Sequence, residues 1–399
     1  MSEIYIGGFV NHPAALAQVL VDVGQTAQST TVMAALPSGL RTPLKQWRNG
    51  RVVLTHATDG FEEAIAAGRA AFRPTHLSEL AAHLRAARPR MTFVRVTPPD
   101  TEGRCHLGFS VDTTLDAIRG GQLVVAEVDP TLPRAAGNAW IHADDIFLAI
   151  DAAPLPPRAA ERAANESSVE DEVARRVAEL IPDRAAVELG MGHLPDVIAS
   201  ALHDHRHLRL HTGIVTEAVL RLLEAGAVDE SPPTPFLAPV VAIMGTNDAP
   251  VRAALNDDPR IELHPVSTTH NRCLLASLPD FHAVNGALSV ALDGSVNSEY
   301  SGSRRVAAVG GLMDFREGAR LSDGGKFIIA LTSNRPSGQS RIVPTLEQPA
   351  TVPTADAGWV VTEYGAVDLG PLDLKQRAEA LIELAHPDHR DELAASSAR

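Results

Sequence analysis

Cysteine is almost absent from this chain of 399 residues: Cys105 and Cys273 are the only two, far apart in sequence. That rules out a disulfide framework or a cysteine-rich metal module, and leaves two reduced thiols as the reading. Lysine is nearly as scarce, with Lys45, Lys326 and Lys375 against many arginines. The formal net charge of −14 argues against a nucleic-acid partner, which needs a broad basic face; a local basic pocket for a small anion stays open. No apolar run approaches the ~18–20 residues that a membrane span requires. The opening Met-Ser-Glu-Ile-Tyr-Ile has no basic stretch followed by an apolar one, so the expectation is a cytoplasmic protein.

What is present is ordinary globular material, 45% hydrophobic residues in enough length for two domains. Segments rich in Val, Ile and Leu alternate with Ala/Leu/Arg segments of helical period, as parallel α/β sheets require. Strands are expected at Arg51–Thr55, Met91–Val96, Leu123–Val128, Ala186–Leu189, Val240–Met244, Ala307–Val309 and Phe327–Leu331. Helices are expected at Pro13–Val23, Leu77–Ala87, Val169–Leu180, Leu194–Leu202, Ile214–Glu224 and Leu374–Ala385. The Pro/Ala stretch Ala153–Ala164 reads as a linker, which places one domain at 1–160 and a second at 161–399.

Two glycine-containing turns stand out. Gly310-Gly311 exposes backbone N–H groups with no side chain in the way, which suits an oxyanion or a phosphate. Glu188-Leu189-Gly190-Met191-Gly192-His193-Leu194-Pro195 reads as a strand, a glycine turn and a helix start, where backbone and helix dipole favour an anion. The third glycine of a dinucleotide fingerprint is missing, as is the acidic residue ~20 positions on, so a Rossmann reading is weak.

Taken in order, many short motifs resemble the acetyl-CoA hydrolase/transferase family of class I CoA-transferases. They are Thr97-Pro98-Pro99-Asp100, Gly103-Arg104-Cys105-His106-Leu107-Gly108, Ser110-Val111-Asp112, Glu127-Val128-Asp129-Pro130 and Gly190-Met191-Gly192-His193-Leu194-Pro195 in the first half of the series. Gly310-Gly311-Leu312-Met313-Asp314-Phe315, Ser340-Arg341-Ile342-Val343-Pro344, Val361-Thr362-Glu363-Tyr364-Gly365 and Ala385-His386-Pro387 complete it. The resemblance covers nearly the whole chain; the region 30–75 departs most and is shortened. It implies a pair of related open α/β domains with the site in the cleft between them. It implies coenzyme A as a substrate, a small carboxylic acid as its acceptor, no metal, and a homo-dimer or higher oligomer.

In that family a loop glutamate attacks the thioester and carries the acyl group and then CoA in covalent form. Aligned on His211-Thr212 and on the downstream Leu223-Glu224-Ala225-Gly226, its position falls on Gly213, which cannot form the anhydride. Glu217, four residues on, is the nearest replacement as nucleophile or general base; the alternative is a first-turn glutamate that complements the helix dipole. Glu188 is a further candidate. If no carboxylate takes over, the scaffold implies either hydrolysis by water, with Glu217 or His211 as base, or a silent CoA-binding subunit. The resemblance and the backbone together point to Gly310 and Gly311 as oxyanion donors. Gly190, Gly192, Lys326 and Arg341 are expected to hold CoA, with Arg304 and Arg305 as further cations for its phosphates. Arg335 with Ser337-Gly338 lies in a loop suited to cradle a pyrophosphate, and Glu363 supports the local architecture.

Two other patterns carry less. His203, His205, His207 and His211 suggest a histidine strip without the accompanying cysteines or carboxylates of a metal site. Ser110 with Asp112 and His106 suggests a hydrolase triad, but no Gly-x-Ser-x-Gly elbow surrounds Ser110.

Overall fold

The computed structural model describes residues 2–22, 29–33, 51–56, 61–155, 168–229 and 236–397. Much of the proposed 153–164 linker, and of the divergent 30–75 region, therefore lies outside the described residues. Two compact units emerge. The first is Met1–Ala160 with Ile214–Glu217 and Pro233–Asn271, and the second is Glu161–Gly213 with Ala218–Pro232 and Arg272–Arg399.

The first unit is built on seven parallel strands: β1 (Ser2–Ile6), β2 (Ser29–Met33), β3 (Arg51–Leu54), β4 (Ala70–Phe72), β5 (Met91–Val96), β6 (Leu123–Val128) and β7 (Ile146–Asp151). Their order across the sheet is β7-β6-β5-β1-β2-β3-β4. The central strands read as near-continuous apolar runs because helices cover them. Tyr5, Val32 and Val53 pack against Leu80, Leu84 and Ala117. Arg95 is tolerated inside β5 because Asp129, 2.9 Å away, neutralises it.

The second unit carries β8 (Ala186–Leu189), β9 (Arg209–His211), β10 (Phe281–Gly286), β11 (Lys326–Ala330), β12 (Trp359–Thr362) and β13 (Gly365–Asp368), in the order β13-β12-β11-β10-β8-β9. Every pairing is parallel except the β12–β13 hairpin. Its helices are α1 (Ser168–Leu180), α2 (His193–Ala201), α3 (Leu312–Leu321), α4 (Leu374–Leu384) and α5 (Pro387–Ser397). Asp373 and Gln376 cap α4 reciprocally, a start signal visible in the sequence.

α3 lies on the face of the sheet that Ala186, Phe281, Ala283, Phe327 and Ile329 present, contributing Leu312, Phe315 and Ala319 to one core. Its last turn is tied to the amino end of β10: Ser322 Oγ donates to Leu278 O and accepts from Phe281 N. Ten residues at ~1.5 Å each carry the helix ~15 Å back along the sheet, so its N-terminus lies toward the carboxyl ends of the strands.

Three expectations need correction. Ala307–Val309 is not a strand; it approaches Gly310 as irregular chain, with Ala307 N donating to Glu299 O in place of a ladder. The helix expected from Ile214 begins at Glu217, because Ile214 and Val215 are spent on a parallel pairing with Met244 and Gly245. β10, a central strand, escaped sequence reading because His282 and Asn285 interrupt its apolar run.

Candidate active site

In open parallel sheets, ligands bind beyond the carboxyl ends of the strands. At that end of the second unit, β8 runs through Glu188 into the Gly190–Gly192 turn and α2. Gly192 has φ of +126°, a conformation that side chains rarely adopt, and is the residue before the first turn of α2. Gly190 donates to Val284 O at 2.9 Å, which holds the turn against β10.

Glu188 shares the face that α3 covers, two residues beyond Ala186. It is 3% exposed, and its Oε2 accepts from Asn285 Nδ2 at 2.7 Å. Burial pushes its carboxyl from 4.5 up to about 8, with the Asn285 hydrogen bond opposing that shift. Asn285 in turn sits where a side chain on position 190 would be: a Cβ there would meet its Oδ1 at 2.8 Å. Neither Asn285 nor its strand was anticipated from the sequence, although its place after an apolar pair, just before Gly286, is a legible strand end.

One strand over, parallel pairing sets Ala186 level with Arg209 and Val187 with Leu210. The same register brings Glu188 level with His211, and Thr212 Oγ1 continues it by donating to Leu189 O at 2.9 Å. His211 is buried, edge-on to Phe281. Gly213 follows, and a Cβ built there meets nothing within 4 Å. Its φ is not in the left-handed region, so neither space nor backbone demands glycine at this position.

The Gly310-Gly311 pair stands at the N-terminus of α3. Gly310 has φ of +56°, and Gly311, with φ of −94° and ψ of −1°, already points along the helix. Leu312 N donates to Val309 O, but among the described residues neither glycine N–H is spent on a hydrogen bond. Two adjacent unspent donors at a helix N-terminus favour a developing oxyanion.

Cations gather at the same end. Arg335 and Arg341 flank the residues that follow β10, both reaching the Leu288 carbonyl, and Arg341 also the Ala287 carbonyl, at 3.4–3.5 Å. Neither has a carboxylate within salt-bridge distance among the described residues. Burial first, then the like charge of Arg335, lowers the pKa of Arg341, with Glu170 opposing. Arg335 sits on a hairpin closed by Arg335 N to Gln339 O at 2.8 Å, whose tip Gly338 accepts from His389. Glu363 anchors its base by accepting from Ser333 N at 2.8 Å and from Ser333 Oγ at 2.5 Å.

Other expected residues lie elsewhere. Lys326 is at the opposite, amino end of β11, where its ammonium donates to Leu180 O at 3.0 Å and contacts His282 Nε2 at 3.1 Å. Arg304 and Arg305 form a short hairpin strand, and Arg305 pairs with Glu299 and stacks on Tyr300. Glu217 is exposed in its helix's first turn, and the one-turn spacing from position 213 does not hold because the intervening residues are extended. The histidine strip disperses: His205 bonds to Ile181 O and His207 to Asp229. Ser110 donates to Asp112 at 2.6 Å, while His106 is fully buried and its Nδ1 accepts from Gly108 N rather than from Ser110.

Comparison with known proteins places this geometry. Residues 2–153 match the acetyl-CoA hydrolase/transferase N-terminal domain and residues 250–397 its C-terminal domain. The chain belongs to the acetyl-CoA hydrolase/transferase family. It is 34% identical over 343 residues to a 4-hydroxybutyrate coenzyme A transferase of Clostridium kluyveri, covering 83% of this chain and 78% of that one. It is 34% identical over 338 residues to a succinyl-CoA:acetate/propanoyl-CoA:succinate CoA transferase of Fasciola hepatica, covering 83% and 70%. RipA from Yersinia pestis superposes with a TM-score of 0.90 at 25% identity, over 99% of this chain and 93% of that one. Parallel α/β architecture is thus shared with this family, and no helix among the described residues is long and apolar enough to cross a membrane.

Proposed function

We propose that this chain processes acyl-CoA thioesters at the carboxyl ends of the second unit's strands. The observation that carries the reading is the pair of unspent N–H groups at Gly310 and Gly311, at the end of the sheet that also holds Glu188, Asn285 and the Arg335–Arg341 pair. The thioester oxygen takes the glycine N–H groups, which stabilise the negative charge that grows on it during attack. CoA phosphates take Arg341 and Arg335, with the Gly190–Gly192 turn beside them. Lys326 serves the fold in this reading, since its ammonium is already bonded at the far end of β11.

Kinship with named CoA-transferases supports CoA transfer from an acyl-CoA to a small carboxylic acid such as acetate. Gly213 supports the second reading, hydrolysis: the nucleophile's position is empty and has room for water. The reading extends to a cytoplasmic homo-oligomer that requires no metal. Thiol release and formation of a new acyl-CoA from a panel of acyl-CoAs, with and without acetate, combined with the intact mass of the exposed protein, separate the two. Acceptor-dependent exchange means transfer, and acceptor-independent release means hydrolysis. No thiol release, no new acyl-CoA and no CoA adduct under either condition refutes the proposal.

A further inference from the structure

We propose that Glu188 is the general base of this site, taking the proton from a water molecule in the open space beside Gly213. The inference rests on the acyl-CoA reading and deepens its hydrolytic form. Cross-strand register carries it. Glu188 is level with His211, and Thr212 Oγ1 donates to Leu189 O at 2.9 Å, which holds the chain entering Gly213 beside the carboxyl end of β8. On its other side Glu188 meets the Asn285 side chain at 2.7 Å, from the neighbouring strand β10. Asn285 engages Oε2 and is the carboxyl group's only hydrogen-bond partner among the described residues, which leaves Oε1 for water.

The surroundings suit a base. β9 presents His211 at the same level, β10 presents Phe281, Ala283 and Asn285, and α3 presents Leu312, Phe315 and Ala319; burial and the Asn285 hydrogen bond are the two influences on the carboxyl among the described residues. Burial brings its titration close to neutral pH, where a base is most effective. In the step itself, the water oxygen bonds to the thioester carbon while its proton passes to Glu188. The C=O electron pair moves onto the oxygen held by Gly310 and Gly311. Collapse of that intermediate breaks the C–S bond, and the departing thiolate regains the proton from Glu188. The products are a carboxylic acid and free CoA thiol.

The test is thiol release from acetyl-CoA by the wild type and by Glu188→Gln, over about pH 6 to 9, with CoA affinity measured by calorimetry. The expected result is that the wild-type rate rises with pH along a limb that Glu188→Gln lacks. The variant should lose ~100-fold or more in kcat while binding CoA as before. Asn285→Ala is the second variant: removing the bond that lowers the carboxyl's pKa should move the limb to higher pH. A Glu188→Gln rate within about threefold of wild type, or an unchanged limb, overturns the role of Glu188 and leaves the acyl-CoA reading standing. Wild-type formation of a new acyl-CoA that requires an acceptor acid, with a CoA adduct on the protein, also overturns it. A wild type that neither releases thiol nor forms a new acyl-CoA overturns both.

Discussion

Asn285 donates its side-chain amide to Glu188 across the neighbouring strands β10 and β8 of the second unit, 2.7 Å apart, with both groups near the carboxyl end of the sheet. This is a neutral donor on a buried acid, with no cation nearby to hold the charge. The carboxyl therefore keeps its proton far above the range of an exposed glutamate.

That relationship makes stability depend on pH in a stated direction. Glu188 has a folded pKa of about 8 against 4.5 unperturbed. Between those values the folded state binds the proton and the unfolded state does not, so stability falls as pH rises, by up to about 1.4 kcal/mol per unit for one proton. The favourable contribution is complete below the unfolded pKa and is lost as pH rises through the folded one. Denaturation of Glu188→Gln should show a shallower decline over that window than wild type, with the variant gaining relative to wild type toward pH 8.

Gly213→Glu should fold as wild type does, since its Cβ meets nothing within 4 Å and its backbone is not left-handed. Exposure to acyl-CoA should leave a CoA adduct on this variant, visible by intact mass, and acetate should become a productive acceptor. Absence of any adduct would show that position 213 does not face the thioester.

Gly311→Val tests the oxyanion donors. The residue's φ of −94° accepts a side chain, so the melting temperature should stay within a few degrees. Crowding the approach to its N–H should cost ~100-fold or more in kcat, the usual order for losing one such donor. Retained turnover would remove Gly311 from that role.

Arg341→Met and Lys326→Met should part company. Arg341 lies half-buried without a carboxylate, so its loss should weaken CoA binding ~10-fold or more and reduce the salt dependence of that affinity. Lys326→Met should leave CoA affinity intact and lower stability by about 1–2 kcal/mol, because Leu180 O and His282 lose their partner.

How much of this was legible beforehand varies with the range of the interactions involved. Met91–Val96, Leu123–Val128 and Ala186–Leu189 are strands where the apolar runs place them, because a strand buried on both faces writes itself locally. The Gly-x-Gly turn and the Gly310-Gly311 pair were equally visible, since the left-handed backbone at Gly192 and Gly310 favours glycine in the chain itself. Lys326 misled because a glycine pair beside a lysine resembles a phosphate loop, while the strand direction that puts it at the wrong end of the sheet is set by pairing with β10.

By itself the sequence determined the family, the alternation of strands and helices, and the absence of a carboxylate at position 213. Each is written in neighbouring residues. Tertiary structure alone decided that Glu188 and Asn285 meet on one face at one end of a sheet. Residues 188 and 285 are brought together only by strand register, and register depends on which distant segments pair. The proton held by Glu188 follows from the same cause, because a carboxyl's pKa is set by what folding packs around it.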